Sequence, residues 1–316
     1  LDSTLVESAR LMGLLYQEKD DSKRAIFFFR RALLLDPNHL DSNYNLSMAL
    51  AKIDQISESK IYMSKFEELS ARRAHIAQIR RLLDEQPHSS RLRVELATHY
   101  LHLNKIPEAE AQYHIILDTD SLHIEALVKL TQISIQNKRL EKAKRFSARG
   151  IQHSPEKKET APLYASLGYI NLVNKNYAVA EDILLKAISL DSTLSDAWNN
   201  LGNLYQQKNK TNIAQKTFEK ALSIDSKNSL AAYNLGVIYY NLDSINNAKN
   251  YFFMALQADS TYWRAQLALG KIYEKSDSLN TAISYYNDLT NNQQIAISIK
   301  NHAQERIASI RDKILQ

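Results

Sequence analysis

The sequence predicts an all-α solenoid, and three observations carry that prediction. Gly168, Gly202, Gly236 and Gly270 stand 34 residues apart, each behind a leucine, in a chain with six glycines. Ala180, Ala214, Ala248 and Ala282 each follow one of them by twelve residues. Five prolines leave little to interrupt helices. A fixed period in this range means stacked copies of one unit, each burying its apolar face only against its neighbours.

The bulk composition bounds the function classes. Of 316 residues, 44% are hydrophobic and 24% charged, as in a folded chain. The net charge of +5 is small for this length and argues against nucleic acid as a partner. Cysteine is absent, which excludes disulfides and thiol chemistry and leaves the redox compartment open. No apolar run reaches transmembrane length.

With Trp198 at position 4 of a 34-residue frame, Leu201 is position 7, Gly202 position 8 and Tyr205 position 11. Ala214, Phe218 and Ala221 then fall at positions 20, 24 and 27. This W-x2-L-G-x2-Y…A-x3-F string resembles the tetratricopeptide repeat (TPR) family. The resemblance implies a right-handed superhelical α-solenoid of about eight helix pairs plus a C-terminal capping helix. Ser226 departs from it, standing where proline is usual; Asp225-Ser226 is expected to end one helix and cap the next.

The frame assigns the chain in order. Residues 1–89 hold units one and two, with Gly13, Tyr16, Ala25, Phe29, Ala32 and Pro37 in register and a sixteen-residue surplus at 74–89. No glycine or proline lies between Ser57 and Asp84, so one long helix or two nearly collinear ones are expected there. His75, Ile79, Leu82 and Pro87 also fit a shifted frame, as a half-unit whose first helix is shared or lost. Residues 90–157 hold units three and four, with Pro107 at the opening turn of a second helix. Residues 158–296 hold units five to eight after three extra residues, Lys158 to Thr160. Residues 297–316 read as the capping helix, apolar at Ile299, Ala303, Ile307, Ile310 and Ile314 and polar between. The whole is expected to form one continuous solenoid. The small residues at positions 8, 20 and 27 mark where backbones approach most closely.

The resemblance also implies a concave groove lined by the first helices at positions 2, 5, 6, 9, 12 and 13. Carried over, this gives Asn199, Asn200, Asn203, Tyr233, Asn234, Tyr240, Asn241, Lys271 and Lys275 as partner-binding candidates. A ladder of amides offers donors and acceptors to an extended peptide backbone; the plain alternative is a solvated polar face. The lysine–asparagine clamp by which some family members hold a C-terminal carboxylate is incomplete here. Arg72, Arg73, Arg80, Arg81, Arg91 and Arg93 form the strongest charge cluster, suited to an acidic partner or simply to a solvated face. Glu95, His99 and His102 share a helix face, but no metal motif backs them and a packed or exposed histidine is expected. No cofactor or metal is therefore assigned. Asn45-Leu46-Ser47 and Asn209-Lys210-Thr211 match the glycosylation pattern, which matters only in a glycosylating compartment.

No phosphate-binding loop, nucleophile elbow or cysteine nucleophile is present, so no enzyme is expected. The leading expectation is a scaffold or adaptor holding protein partners in the groove. The alternative is a structural subunit, or a head-to-tail self-assembling array, using convex faces and ends; Tyr62, Tyr169, Tyr262 and Tyr285 lie outside signature positions and suit it. RNA binding by a helical-repeat array is a third, weaker reading. The first residue is leucine, which fits a mature exported, periplasmic or membrane-tethered chain and equally a trimmed cytoplasmic one.

Overall fold

The computed structural model describes residues 3–291 and 295–315, and the described residues form seventeen α-helices and one short 3₁₀ turn. Residues 1, 2, 292–294 and 316, assigned above to the first unit, the end of the eighth and the cap, lie outside the described residues. The chain divides into two compact units, Leu1–Thr119 and Asp120–Gln316.

The first unit contains α1 (Ser3–Glu18), α2 (Ser22–Leu35), α3 (Leu40–Lys52), α4 (Ile56–Glu85), α5 (Ser90–His102) and α6 (Ile106–Thr119). The second contains α7 (Ile124–Gln136), α8 (Leu140–His153), α9 (Ala161–Val173), α10 (Tyr177–Leu190), α11 (Ser195–Gln207) and α12 (Thr211–Ile224). It continues with α13 (Ser229–Asn241), α14 (Ile245–Ala258), α15 (Trp263–Lys275), α16 (Leu279–Asn291) and α17 (Ile297–Leu315). Inside each unit every helix packs on the next, so each unit is an α-solenoid. In the second, α9 also meets α7 and α11, and α11 meets α13, which gathers the first helices of successive pairs on one face.

The register of the helix pairs is written in the backbone. Asp20, Asp54, Asn104, Lys138, Lys175, Asn209, Asp243 and Asp277 carry φ values of 56–61°. Each occupies the turn between the first and second helix of a pair, one residue per repeat, where only a left-handed residue reverses the chain this tightly. Their spacing is 34 residues except across the two insertions. The three-residue insertion is the 3₁₀ turn Lys158–Thr160, with Thr160 buried and bonded to the carbonyls of Ser154 and Lys157. The sixteen-residue surplus continues α4 as a single thirty-residue helix. Its first half covers α3; Ile76 and Ile79 of its second half are buried, and the loop after it leads into α5, so that half serves as a second helix without a first.

Packing inside a pair follows the small residues. A Cβ added to Gly202 would stand 2.6 Å from the Phe218 ring, and the same holds for Gly236 against Phe252 at 2.5 Å. Ala25, Ala109, Ala143, Ala180, Ala214, Ala248 and Ala282 are fully buried. Between repeats the chain turns on aspartates: the side chains of Asp36, Asp120, Asp191, Asp225 and Asp259 each accept from the backbone N–H two residues on. After Asp225 the residue that caps the next helix is Asn228, which accepts from the Ala231 N–H at 2.9 Å, and not Ser226. Asn228 also donates to Ser195 Oγ at 2.8 Å, and Ser195 donates to the Ala221 carbonyl, so one cap ties two repeats together.

Two stability outcomes follow from this geometry. Alanine is favoured over glycine in a helix interior by about 1 kcal/mol, but overpacking at Gly202 costs roughly 1–3 kcal/mol, so Gly202→Ala is expected to lower the melting temperature, as read by thermal melting. Lys138→Gly removes a left-handed strain of about 1–2 kcal/mol against a glycine entropy cost of about 0.5–1 kcal/mol, so thermal melting should show a small net gain.

Candidate functional site

The first helices of the second unit frame a cleft of about 720 Å³. Asn199, Asn200 and Asn203 come from α11, Tyr233 and Asn234 from α13, Arg264 from α15 and Tyr262 from the loop before α15. Gln132 and Gln136 of α7 and Pro162, Ser166 and Tyr169 of α9 complete the opposite wall. Five of the nine groove residues expected from the frame are thus brought together here. Tyr240 and Lys271 line a smaller pocket of about 310 Å³ that shares Tyr233 and Arg264 with the first. Lys271 and Lys275 line a third, of about 540 Å³, which shares Lys271 with the second. Asn241 is exposed and lines none of the three.

The amides do not form an open ladder. Asn199 is almost fully buried, and the Asn234 side-chain amide donates to Asn199 Oδ1 at 3.1 Å and to Asn203 Oδ1 at 2.9 Å. The asparagines are therefore cross-bonded across two repeats, which fixes their orientation before anything binds. Tyr233 leans on Phe252 at 5.7 Å and on Tyr262 at 5.4 Å. Burial, then the neighbouring Tyr262, pushes the Tyr233 phenol up, and it stays a neutral hydrogen-bonding group at ordinary pH. The middle pocket is mostly apolar, walled by Tyr240, Val237, Trp263 and Leu267, with Arg264 and Lys271 also lining it.

The third pocket gathers positive charge. Lys271 and Lys275 of α15 face His302, Arg306 and Lys313 of α17, with Glu274 the one carboxylate among them. Glu274 is committed to the fold: it pairs with Arg306 and accepts from Tyr286 at 3.0 Å. Burial opposes its charge, but the bonds from Arg306 and Tyr286 outweigh it and hold the carboxyl below the usual range. The same burial, with Glu274 beside it, pushes the Tyr286 phenol far up.

The other expected residues are more dispersed. In the first unit Arg72 donates to Glu68 and His99, Arg80 to the Tyr100 hydroxyl at 2.6 Å, and Arg93 to the Pro87 carbonyl at 2.6 Å. Arg73, Arg81 and Arg91 are exposed. Half of the arginine cluster thus serves local structure. The four tyrosines read as outer contacts are not a convex set: Tyr169 and Tyr262 line the cleft, Tyr285 stacks on Tyr273 at 5.7 Å, and Tyr62 packs against the core of the first unit. Tyr169, Ser166, Gln132 and Gln136 were not among the expected groove residues, although positions 9, 6, 9 and 13 of the same frame fall on them; Tyr262 and the α17 cations had no such marker.

A solenoid with this register and a lined first-helix face defines a helical-repeat binding array. Family models described as tetratricopeptide repeat match residues 195–228, 11–39 and 230–262, and the chain is a tetratricopeptide repeat protein. Among solved structures it is similar to a chain of the APC/C hetero-tetramer Cut9-Hcn1, at 17% identity over 92% of this chain and 52% of that one, with a TM-score of 0.59. It is also similar to yeast Tom70, at 10% identity over 96% and 88% of the two chains, with a TM-score of 0.58. Pseudomonas aeruginosa PilF matches at 19% identity over 68% and 97%, with a TM-score of 0.51. These identities speak for the fold alone. No curated protein sequence matches. No helix among the described residues is long and apolar enough to cross a membrane.

The Glu274 lock gives a measurable outcome. Its folded pKa is lowered, so its stabilisation is complete above the ordinary carboxylate value and disappears as pH falls through the lowered one. The protection of α17 amides, taken relative to the intrinsic exchange rate at each pH, should therefore fall in acid, and Glu274→Gln should produce the same loosening at neutral pH, at a cost of about 1–3 kcal/mol.

Proposed function

We propose that this protein is a non-enzymatic interaction scaffold that captures an extended segment of a partner protein along the first-helix face of the second unit. The observation that carries the reading is the sequence of three pockets on α11, α13, α15 and α17, joined through Tyr233, Arg264 and Lys271. Each asks for a different chemistry. The amide-lined cleft suits peptide backbone and polar side chains, the Tyr240–Trp263 pocket a large apolar side chain, and the Lys271–Lys275–Lys313 group an acidic one. The preferred partner segment is thus polar, then apolar, then acidic along its length. The cations supply steering and register more than raw affinity. Tetratricopeptide arrays are in general non-catalytic scaffolds, which supports the class.

A second reading, contact through the N-terminal repeat with another copy or subunit, is supported by its exposed apolar side chains. Leu5, Phe27 and Leu34 are 51–59% exposed, an unusual concentration for one repeat. Sedimentation across concentration tests it: a monodisperse monomer removes self-assembly.

Selection from a displayed random peptide library on the intact chain tests the first reading. Enriched sequences should place a large apolar residue ahead of Asp or Glu. Tyr240→Ala and Lys271→Glu should each weaken the selected peptide by about tenfold or more, equivalent to about 1.4 kcal/mol. Undiminished binding by both variants, and by Asn200→Ala, rejects this face as the site.

A further inference from the structure

We propose that the first unit carries a transition-metal site of the zinc class formed by His75, Glu95 and His99. The three residues come from two helices: His75 from the extended second half of α4, and Glu95 and His99 from one face of α5. Their ligand atoms all lie within 4.8 Å of one another. His75 Nε2 is 2.8 Å from Glu95 Oε1, and the two imidazole rings meet edge to face with centroids 4.9 Å apart. All three side chains are half-buried, so the cluster is shaped by packing yet open to an entering ion.

Two imidazoles and a carboxylate are a donor set that suits Zn²⁺ and its first-row neighbours, with a fourth position left for water or an incoming ligand. Bonds of about 2.0–2.2 Å place tetrahedral donors about 3.3–3.5 Å apart. The His75–Glu95 pair has to open by about half an ångström and His99 to turn inward, both side-chain movements. Arg72 works against the ion: its Nη1 donates to His99 Nδ1 at 3.3 Å while its Nη2 holds Glu68 at 3.0 Å. The ion would displace Arg72 toward Glu68 and pin α4 to α5. His75 belongs to the sixteen-residue surplus, so the site exists because the repeat frame breaks there. His102, one turn beyond His99, is exposed and stands outside the cluster.

Calorimetric titration of the intact chain with Zn²⁺, and of a parallel sample with Co²⁺ followed by its visible absorption, tests the assignment. One ion per chain is expected, with tetrahedral Co²⁺ bands and a melting temperature that rises with metal. His75→Gln and His99→Gln, which keep size and hydrogen bonding, should each weaken binding at least tenfold, no less than losses seen for outer-shell partners. His102→Gln should leave it unchanged, and Arg72→Gln should tighten it. Equal affinity in the parent, His75→Gln and His99→Gln overturns the site, as does weaker binding in Arg72→Gln. Far-ultraviolet circular dichroism of each variant separates loss of the site from loss of the fold.

Discussion

The distance between the two helices of a pair is the quantity on which the rest of the molecule depends. It is set where a residue without a side chain meets a large ring: Gly13 on Phe29, Gly202 on Phe218, Gly236 on Phe252 and Gly270 on Tyr286. The glycine lets the ring lie against helix backbone, and the ring fills the space a Cβ would otherwise dispute. In the second unit the first helices of successive pairs, from α7 to α13, then meet on a single face. The lined face is thus partly a by-product of packing: Asn199 and Tyr233 are tied into the fold, while Asn200 and Asn203 beside them are more open.

That by-product is graded along its length. Near α11 the side chains are amides already bonded to one another, so the floor is ordered and presents its remaining donors and acceptors in fixed directions. Around α13 and α15 it becomes aromatic, and against α17 it becomes cationic. The gradient arises where successive repeats carry different side chains at the same few positions, and where Tyr262 and the α17 cations join them. The capping helix does more than shield the last repeat's apolar side: three of its residues close the cationic end.

Most of the fold was legible because the residues that set helix spacing are chemically extreme. Glycine is disfavoured in a helix interior, so its recurrence at a fixed offset from alanine and a large side chain marks close packing, and the left-handed turns fall in the same frame without needing glycine. Positions on the first-helix face were legible too, but the side chains there were judged by type, and Tyr169 was read as an outer contact although its position faces the cleft. Tyr262 and the α17 cations escaped because their placement depends on where a loop and a non-repeating helix come to rest, and that is tertiary information. The meeting of His75 with Glu95 and His99 escaped for the related reason that no repeat template spans an insertion. The asparagines were recognised as groove residues, while their mutual bonding, which turns three separate groups into one rigid element, required coordinates.

The long helix α4 gives the first unit a mechanical character. Thirty residues of uninterrupted α-helix make a rod about 45 Å long, with no glycine or proline at which to flex. One end is clasped by α3 and the other touches α5. An unbroken helix of this length holds the surface it presents to α3 and the surface it presents to α5 in one fixed register, where two short helices joined by a turn would leave a hinge between them.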